Sequence, residues 1–261
     1  MIQTGPQTGN FTWEYCSGYF YEDSLIQGFT QNRLNGTGCV DLGDLLVQPF
    51  ADEKRDNLDS HFSKTSEKAS AGYYTVHLDD NNVTAEMTAS PHVAFHKYTY
   101  PKGEKANLLI DFQSGLVWQD ARIHTHVLDN EVTFESDKVI SGYTRRTEWV
   151  NRIYYFVIEF DKPFTVTEKL EPQSKFEKSE RYIVTFDMED AETVSMKIGM
   201  SSASIEGAKA NLTAEANHWD FDKVLQETKS EWNKYLSKVE IEGSQDDKVN
   251  FYTSLYHLYI Q

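Results

Sequence analysis

The chain has 261 residues, 39% of them hydrophobic and 13% aromatic. That is enough for a sizeable core in one large domain, or in one domain with part of another. The formal net charge is -16. A surface this acidic repels nucleic-acid phosphates and anionic lipid headgroups, so we expect neither as a partner, and a neutral substrate fits it better.

The cysteine content and the apolar runs narrow the class of protein further. Only Cys16 and Cys39 are present, which excludes a disulfide framework and leaves open either one bridge or two buried thiols. No apolar run approaches the ~20 residues that a membrane-spanning helix needs. No leader-like segment follows Met1, so these features alone favour a cytoplasmic protein if Met1 is the natural start.

Short apolar runs separated by turn residues predict a mainly β protein. Residues 1–44 predict loops and short strands, with a turn at Asn35-Gly36, and the charged residues 51–71 predict a loop. Strands are predicted at residues 45–50, 73–78, 83–90, 93–100, 107–112, 121–128, 131–135, 139–144, 153–160, 181–186 and 194–200. Because strands and helices do not alternate, we expect an antiparallel sandwich or barrel and not a Rossmann-type fold.

Two helices are predicted near the end of the chain. Residues 221–238 form an amphipathic pattern that Asp220 can cap, and residues 246–260 form a second helix. Between them, residues 239–241 predict a short strand or an extended link. The second helix is apolar around most of its circumference and reaches Gln261 without a capping signal, so we expect it to pack against neighbours in a longer protein.

Several sequence motifs resemble those of glycoside hydrolase family 92, the α-mannosidase type. The most specific is Gly36-Thr37-Gly38-Cys39-Val40-Asp41-Leu42-Gly43-Asp44. The others, in chain order, are Trp13-Glu14-Tyr15-Cys16-Ser17-Gly18-Tyr19, Ile26-Gln27-Gly28-Phe29, Phe62-Ser63 with Glu67, Gly72-Tyr73-Tyr74, Phe95-His96-Lys97-Tyr98, Lys197-Ile198-Gly199-Met200, Glu206-Gly207-Ala208, Asn211-Leu212, Trp232-Asn233 and Phe251-Tyr252-Thr253-Ser254. The resemblance covers nearly the whole chain and keeps the family's order.

The resemblance implies a large antiparallel β-sandwich, a linker helix and the first helix of a truncated (α/α)6 domain. The corresponding bounds are residues 1–219, 220–240 and 241–261. It also implies an inverting, calcium-dependent enzyme that removes terminal α-linked mannose in a bacterial periplasm or at the outer surface. The catalytic acid and base are expected beyond Gln261, and the calcium ligands outside this part of the protein. This part would then supply some of the sugar pocket.

Six residues are the predicted substrate contacts: Trp13, Arg33, Asn35, Gly36, Thr37 and Asp41. The tryptophan ring can stack on a sugar face, although a loop-packing tryptophan is equally plausible. Residues 35–37 form a tight loop that a ligand can approach closely, but a hairpin turn needs the same residues. Asp41 and Asp44 can orient that loop or bind hydroxyl groups, whereas local capping is the simpler interpretation.

Arg33 stands where family members usually carry histidine. Arginine is a permanently charged group with planar donors, whereas histidine can be neutral and accept a hydrogen bond. If this loop faces the substrate, the preference for linkage or leaving group is expected to differ. A phosphate-bearing mannoside is one candidate.

Other polar residues are not predicted to be catalytic or to bind metal. In a strand, His92 and His96 would lie ~13 Å apart, too far to share zinc. Glu22, Asp23 and Glu206 are interpreted as loop carboxylates without a catalytic role. The alternative to a glycosidase is a non-catalytic carbohydrate-binding β-sandwich, which would fold by itself and bind sugar without a second domain.

Overall fold

The computed structural model describes residues 2–9, 15, 17–34, 41–51, 56–117, 126–147, 150–172, 178–188 and 192–260. Within them lie sixteen strands and three helices. The strands are β1 Gly5–Gln7, β2 Leu25–Ile26, β3 Gly28–Thr30, β4 Leu46–Ala51, β5 Ser60–His61, β6 Lys68–Ser70, β7 Tyr73–Leu78, β8 Val83–Ala89, β9 Val93–Thr99, β10 Ala106–Asp111, β11 Val127–Phe134, β12 Val139–Thr147, β13 Asn151–Phe160, β14 Phe164–Leu170, β15 Arg181–Phe186 and β16 Thr193–Ser201. The helices are α1 Ile205–Glu215, α2 Phe221–Leu236 and α3 Gln245–Tyr259.

The strands form two large antiparallel sheets and one small one. One sheet has the order β1-β3-β4-β10-β15-β14, and the other has the order β11-β12-β13-β16-β9-β8-β7-β6. Strands β2 and β5 form a separate pair. All the strand pairs described are antiparallel, as expected for a sandwich. The prediction of a mainly β sandwich followed by helices is therefore confirmed.

The main core lies between the two large sheets. Alternation along β10 shows the pattern, because Leu108 and Ile110 join this core while Leu109 packs on the opposite face. Phe112 and Phe156 stack across the core with ring centroids 4.7 Å apart. Burying an aromatic or aliphatic side chain of this size contributes about 1.5–3 kcal/mol.

Helices α1 and α2 cover part of the outer face of the eight-stranded sheet. Helix α1 begins at an N-cap, Ser204, and packs Ala208 and Leu212 against Val93 and Val157. Helix α2 begins after Asp220, whose side chain accepts a hydrogen bond from the backbone N–H of Lys223, as predicted. It packs three residues, Phe221, Val224 and Leu225, against Phe95 of β9.

Helix α3 lies against α2 and has no buried residue. Ring pairs join the two helices, Trp232 with Tyr256 at 4.7 Å between centroids and Tyr235 with Tyr259 at 5.3 Å. Leu258 is 69% exposed. Among the described residues, no helix has the length and apolar character that a membrane crossing requires.

Some elements differ from the sequence prediction. Residues 121–128 and 131–135 were predicted as two strands, whereas the described part is a single strand, β11. Of the two alternatives predicted for residues 239–241, a short strand or an extended link, the structure excludes the strand. Strands β6 and β14 were missed because they are edge strands with largely exposed side chains, and helix α1 because it buries only Ala208 and Leu212 and so lacks an apolar stripe.

Candidate functional site

Three connections meet at one end of the sandwich. They are residues 31–34 and 41–45 of the β3–β4 connection, residues 112–117 after β10, and the ends of β12 and β13 at Thr147 and Asn151. The backbone N–H of Leu116 donates to the carbonyl oxygen of Leu42 at 2.7 Å, and the hydroxyl of Ser114 donates to that of Gly43 at 3.2 Å. The most specific sequence motif therefore has its described end packed onto the β10 connection.

The side chain of Asp44 is the centre of a buried charge network. Arg152 donates to it twice, from Nη2 to Oδ1 at 2.9 Å and from Nε to Oδ2 at 3.2 Å. Asn32 donates from Nδ2 to Oδ2 at 2.9 Å and accepts from the Asp44 backbone N–H at 2.8 Å. Nε of Arg146 lies 3.2 Å from Oδ1. Asp44 is fully buried, so these contacts compensate a carboxylate that water cannot reach.

Asp41 shares Arg152 with Asp44. Its Oδ1 accepts from Nη1 of Arg152 and from the backbone N–H of Leu42. Burial alone would lower the pKa of Arg152, but the two carboxylates outweigh it and the pKa is raised. The capping interpretation of these aspartates is therefore incomplete, because both also bind an arginine that is distant in sequence.

The backbone from Leu42 to Leu45 includes strained residues. Leu42 has φ 64°, Gly43 has φ 71° and Leu45 has φ 54°. Leucine rarely adopts this left-handed region, and such residues persist where surrounding contacts hold them. A Cβ added to Gly43 would lie 2.7 Å from Cγ of Leu116, so only glycine allows this close approach.

Arg146 anchors the neighbouring connection. Its Nη1 donates to the carbonyl oxygens of Gln113 and Ser114, both at 2.6 Å. A Cβ added to Gly115 would lie 2.0 Å from Nη2 of Arg146. Glycine at position 115 is therefore what makes room for the guanidinium.

Arg33 lies at the base of the same connection. Its main chain forms an antiparallel bridge with Leu42. Its Nη1 donates to the carbonyl oxygen of Ser17 at 3.1 Å, and its Nη2 donates to Oγ1 of Thr30 at 3.0 Å and to the carbonyl oxygen of Gly5. Burial lowers the pKa of Arg33 to about 10, which still leaves it charged at neutral pH.

A second polar cluster joins other motifs beside Arg33. Glu67 accepts from the hydroxyl of Tyr19 at 3.0 Å, from that of Tyr74 at 2.7 Å and from Nζ of Lys64 at 3.2 Å. Burial, followed by the charge of Glu67, raises the pKa of Tyr74 far above its usual range. Motif residues that are far apart in sequence thus meet at this end of the fold.

The predicted contacts divide into two groups. Trp13, Asn35, Gly36 and Thr37 lie outside the described residues, as do both cysteines. Arg33 and Asp41 lie in the described structure and are close together through the Arg33–Leu42 bridge. Their contact with substrate stays a prediction.

Two residues that organise this end, Arg146 and Arg152, were not singled out in the sequence. A usable signal was present, because Arg146 occupies the inward register of β12 and is 1% exposed. A charged residue at an inward position of a strand needs a partner. The order of residues along the chain did not identify that partner as Asp44.

The other polar residues that were considered have structural contacts. His96 is buried and lies between Oγ1 of Thr4 at 2.8 Å and the hydroxyl of Tyr98 at 2.7 Å. His92 lies 2.6 Å from a carboxylate oxygen of Glu215. Glu206 belongs to the first turn of α1 and not to a loop, which corrects the prediction for that residue.

The contacts of Asp41 and Asp44 hold the connection between β3 and β4 in place, and the two carboxylates do not form an acid–base pair. Asp41 and Asp44 are both bound by arginine, so neither is available as a free general acid or base. In the part of the chain that is described, no group of three or more His, Cys, Asp or Glu side chains is placed to hold a metal ion.

Comparisons with known protein families match nearly the whole chain. A model described as the glycosyl hydrolase family 92 N-terminal domain matches residues 1–201, and one described as the family 92 catalytic domain matches residues 207–261. One relative is an "Uncharacterized secreted glycosidase" of Arthroderma benhamiae, which is 23% identical over 271 residues, covering 88% of this chain and 34% of the relative.

Solved structures show the same fold. A family 92 α-mannosidase from Bacteroides thetaiotaomicron, BT3965, has been solved in complex with mannoimidazole; it is 28% identical, has a TM-score of 0.88, and is matched over 98% of this chain and 36% of its own. The inverting mannosidase BT2199 of the same organism is 23% identical with a TM-score of 0.80, over 98% of this chain and 35% of its own. The chain spans about a third of the length of these relatives.

Proposed function

This chain belongs to glycosyl hydrolase family 92, and we propose from that premise that the whole protein removes terminal α-linked mannose with inversion. The observation that carries the proposal is the fold match to an α-mannosidase that binds mannoimidazole, at 28% identity over 98% of this chain. The acidic character of the chain favours a neutral glycan as substrate.

Within such an enzyme, the part described here would shape one wall of the sugar pocket. Inversion needs an acid and a base whose carboxylates lie ~6.5–9.5 Å apart. Asp41 and Asp44 do not suit these roles, since Arg152 binds both. We therefore assign the acid and base to the remainder of the protein, and the loop bases around Arg33 and Asp41 to substrate positioning.

Calcium and an extracytoplasmic location are also proposed. Among the described residues, no group of three or more His, Cys, Asp or Glu side chains is placed to hold a metal ion, and we propose that the calcium ligands lie outside this part of the protein. A secreted location is supported by the match to a secreted glycosidase.

The proposal is tested by assaying the full-length protein on α-linked mannobioses and following the anomer released by proton NMR. We expect mannose to be released with inversion and the activity to be lost with a calcium chelator and restored by calcium. Hydrolysis of other glycosides without mannosides would overturn the assigned substrate. Saturable sugar binding without hydrolysis would indicate the binding-module alternative.

A further inference from the structure

We propose that Arg33 is a positioning residue: it joins the loop that ends at Ser17 to the loop that ends at Leu42, and acts on substrate binding through them without touching the sugar. The inference rests on the proposed function, because both loops carry predicted sugar contacts. It concerns the described bases of the loops, at Ser17 and Leu42.

The main chain of Arg33 determines where its own loop closes. The Arg33–Leu42 bridge brings together the two described ends of the β3–β4 connection. A neighbouring hydrogen bond also joins these two ends, because the backbone N–H of Gly43 donates to the carbonyl oxygen of Asn32 at 2.9 Å. Asp44 then fixes the connection to the sandwich through Arg152. Arg33 is thus part of a rigid base.

The side chain of Arg33 extends from this base to other segments. Gly5 and Thr30, which accept from Nη2, are opposite each other in the β1–β3 ladder. Ser17 accepts from Nη1 and belongs to the loop that leads from β1 towards β2. The guanidinium of Arg33 therefore connects the paired residues Gly5 and Thr30 of the sheet to Ser17, which lies in a loop outside the strands.

Arginine is suited to this connection in a way that other cations are not. The acceptors named for the Arg33 guanidinium are two carbonyl oxygens and one hydroxyl, all uncharged. Planar donors on two terminal nitrogens can serve all three at once, whereas lysine is a point charge and histidine has two ring nitrogens. The guanidinium lies against Gly5, where an added Cβ would be 3.4 Å from Cζ.

The loop at Ser17 also makes contacts that do not involve Arg33. The carbonyl oxygen of Gly18 accepts from the backbone N–H of Thr8 at 2.7 Å, and the backbone N–H of Phe20 donates to Oγ1 of Thr8 at 2.9 Å. Tyr19 bonds to Glu67. Losing Arg33 should therefore loosen the register between the two loops without unfolding either of them.

The test uses the full-length protein and the variants Arg33→Met and Arg33→Lys. Methionine keeps part of the apolar volume without donors, and lysine keeps the charge without the planar fork. We expect KM for an α-mannobiose to rise about tenfold or more in both variants while kcat changes less, because a small misplacement of binding groups has large effects. Arg145→Met is the control, since Arg145 is an exposed arginine on the outer sheet face, and we expect its KM to be unchanged.

Amide hydrogen exchange distinguishes positioning from direct sugar contact. We expect faster exchange at residues 17–20 and 42–45 together in Arg33→Met without sugar, and no change in Arg145→Met. Unchanged KM in Arg33→Met would overturn the inference, as would a raised KM with unchanged exchange, which would indicate that Arg33 touches the sugar. If the unmodified protein does not hydrolyse mannosides, the proposed function fails, and exchange alone still decides whether Arg33 joins the two loops.

Discussion

Arg152 donates two hydrogen bonds to the carboxylate of Asp44, from Nη2 to Oδ1 at 2.9 Å and from Nε to Oδ2 at 3.2 Å. The carboxylate is fully buried, while the Arg152 side chain is 15% exposed. Such a bidentate pair fixes direction as well as distance. It attaches the β3–β4 connection to β13, two segments more than 100 positions apart in the chain.

Replacing Asp44 with asparagine should strongly destabilise the chain. The variant removes the carboxylate that Arg146 and Arg152 share, at a position where Asp44 and Arg146 are almost completely buried. Breaking a buried pair in this way costs about 3–5 kcal/mol. Urea unfolding measures the loss. Glu231→Gln is the control, because the Lys234–Glu231 pair is well exposed and its loss should leave the free energy of unfolding nearly unchanged. Equal losses in the two variants would contradict the buried network.

Gly115→Ala should destabilise the chain by about 1–3 kcal/mol through overpacking, because the new Cβ would lie 2.0 Å from Nη2 of Arg146. The decisive measurement is a double-mutant cycle with Arg146→Met. Much of the cost should disappear in the double variant, since the clashing group is gone. Gly103→Ala is the comparison, because Gly103 has φ 83° and open space around it; its cost should simply add to that of Arg146→Met. Additive costs for Gly115→Ala would refute the contact.

The stability of the chain should fall at mildly acidic pH because of His96. Burial lowers the pKa of His96 to about 3, so it stays neutral in the native state while it gains a proton in the unfolded state near its usual value of ~6.5. The contribution of His96 is therefore constant above that value and decreases by about 1.4 kcal/mol per pH unit as the pH falls towards 3.

His96→Gln removes this titration while keeping groups that can bond to Thr4 and Tyr98. Comparing the free energy of unfolding at pH 7 and pH 5 should show a smaller loss in the variant than in the unmodified chain. Parallel pH dependences would show that His96 takes up a proton in the native state as readily as in the unfolded one.

Trp232→Ala should release helix α3 and leave the sandwich folded. The Trp232 ring lies tilted against Tyr256 with 4.7 Å between centroids, and α3 itself has no buried residue. Amide exchange in residues 245–259 should accelerate strongly while exchange in β9 and β16 stays slow. Leu212→Ala is the contrast, because Leu212 is buried against the sheet and its loss should cost about 2–5 kcal/mol of global stability. Equal global destabilisation by the two variants would contradict a loosely attached α3.

The strands that could be predicted from sequence are those with a buried face. Residues 181–186 were predicted with the bounds that β15 has, and four of its six residues are buried. Strand β14 was missed because its sequence presents mostly exposed residues at a sheet edge. Local periodicity reports burial, so an element that buries little gives little signal.

The motifs predicted that Arg33 and Asp41 contact the sugar, which stays a prediction, whereas the roles of their neighbours depended on contacts across the fold. Arg146 and Arg152 had no recognisable motif, and the pairing of the latter with Asp44 joins residues 108 positions apart. No spacing rule connects positions so distant, because the two strands that bring them together are held in register by the rest of the sandwich.

The sequence by itself determined the β class of this chain, the N-cap of helix α2 at Asp220, and its family, since hydrophobic period, capping chemistry and motif order are properties of neighbouring residues. Only the tertiary structure decided that Asp41 and Asp44 are neutralised by arginine and that Arg33 spans three segments. The physical reason is that the role of a charged side chain depends on the groups that it contacts, and folding decides which groups those are.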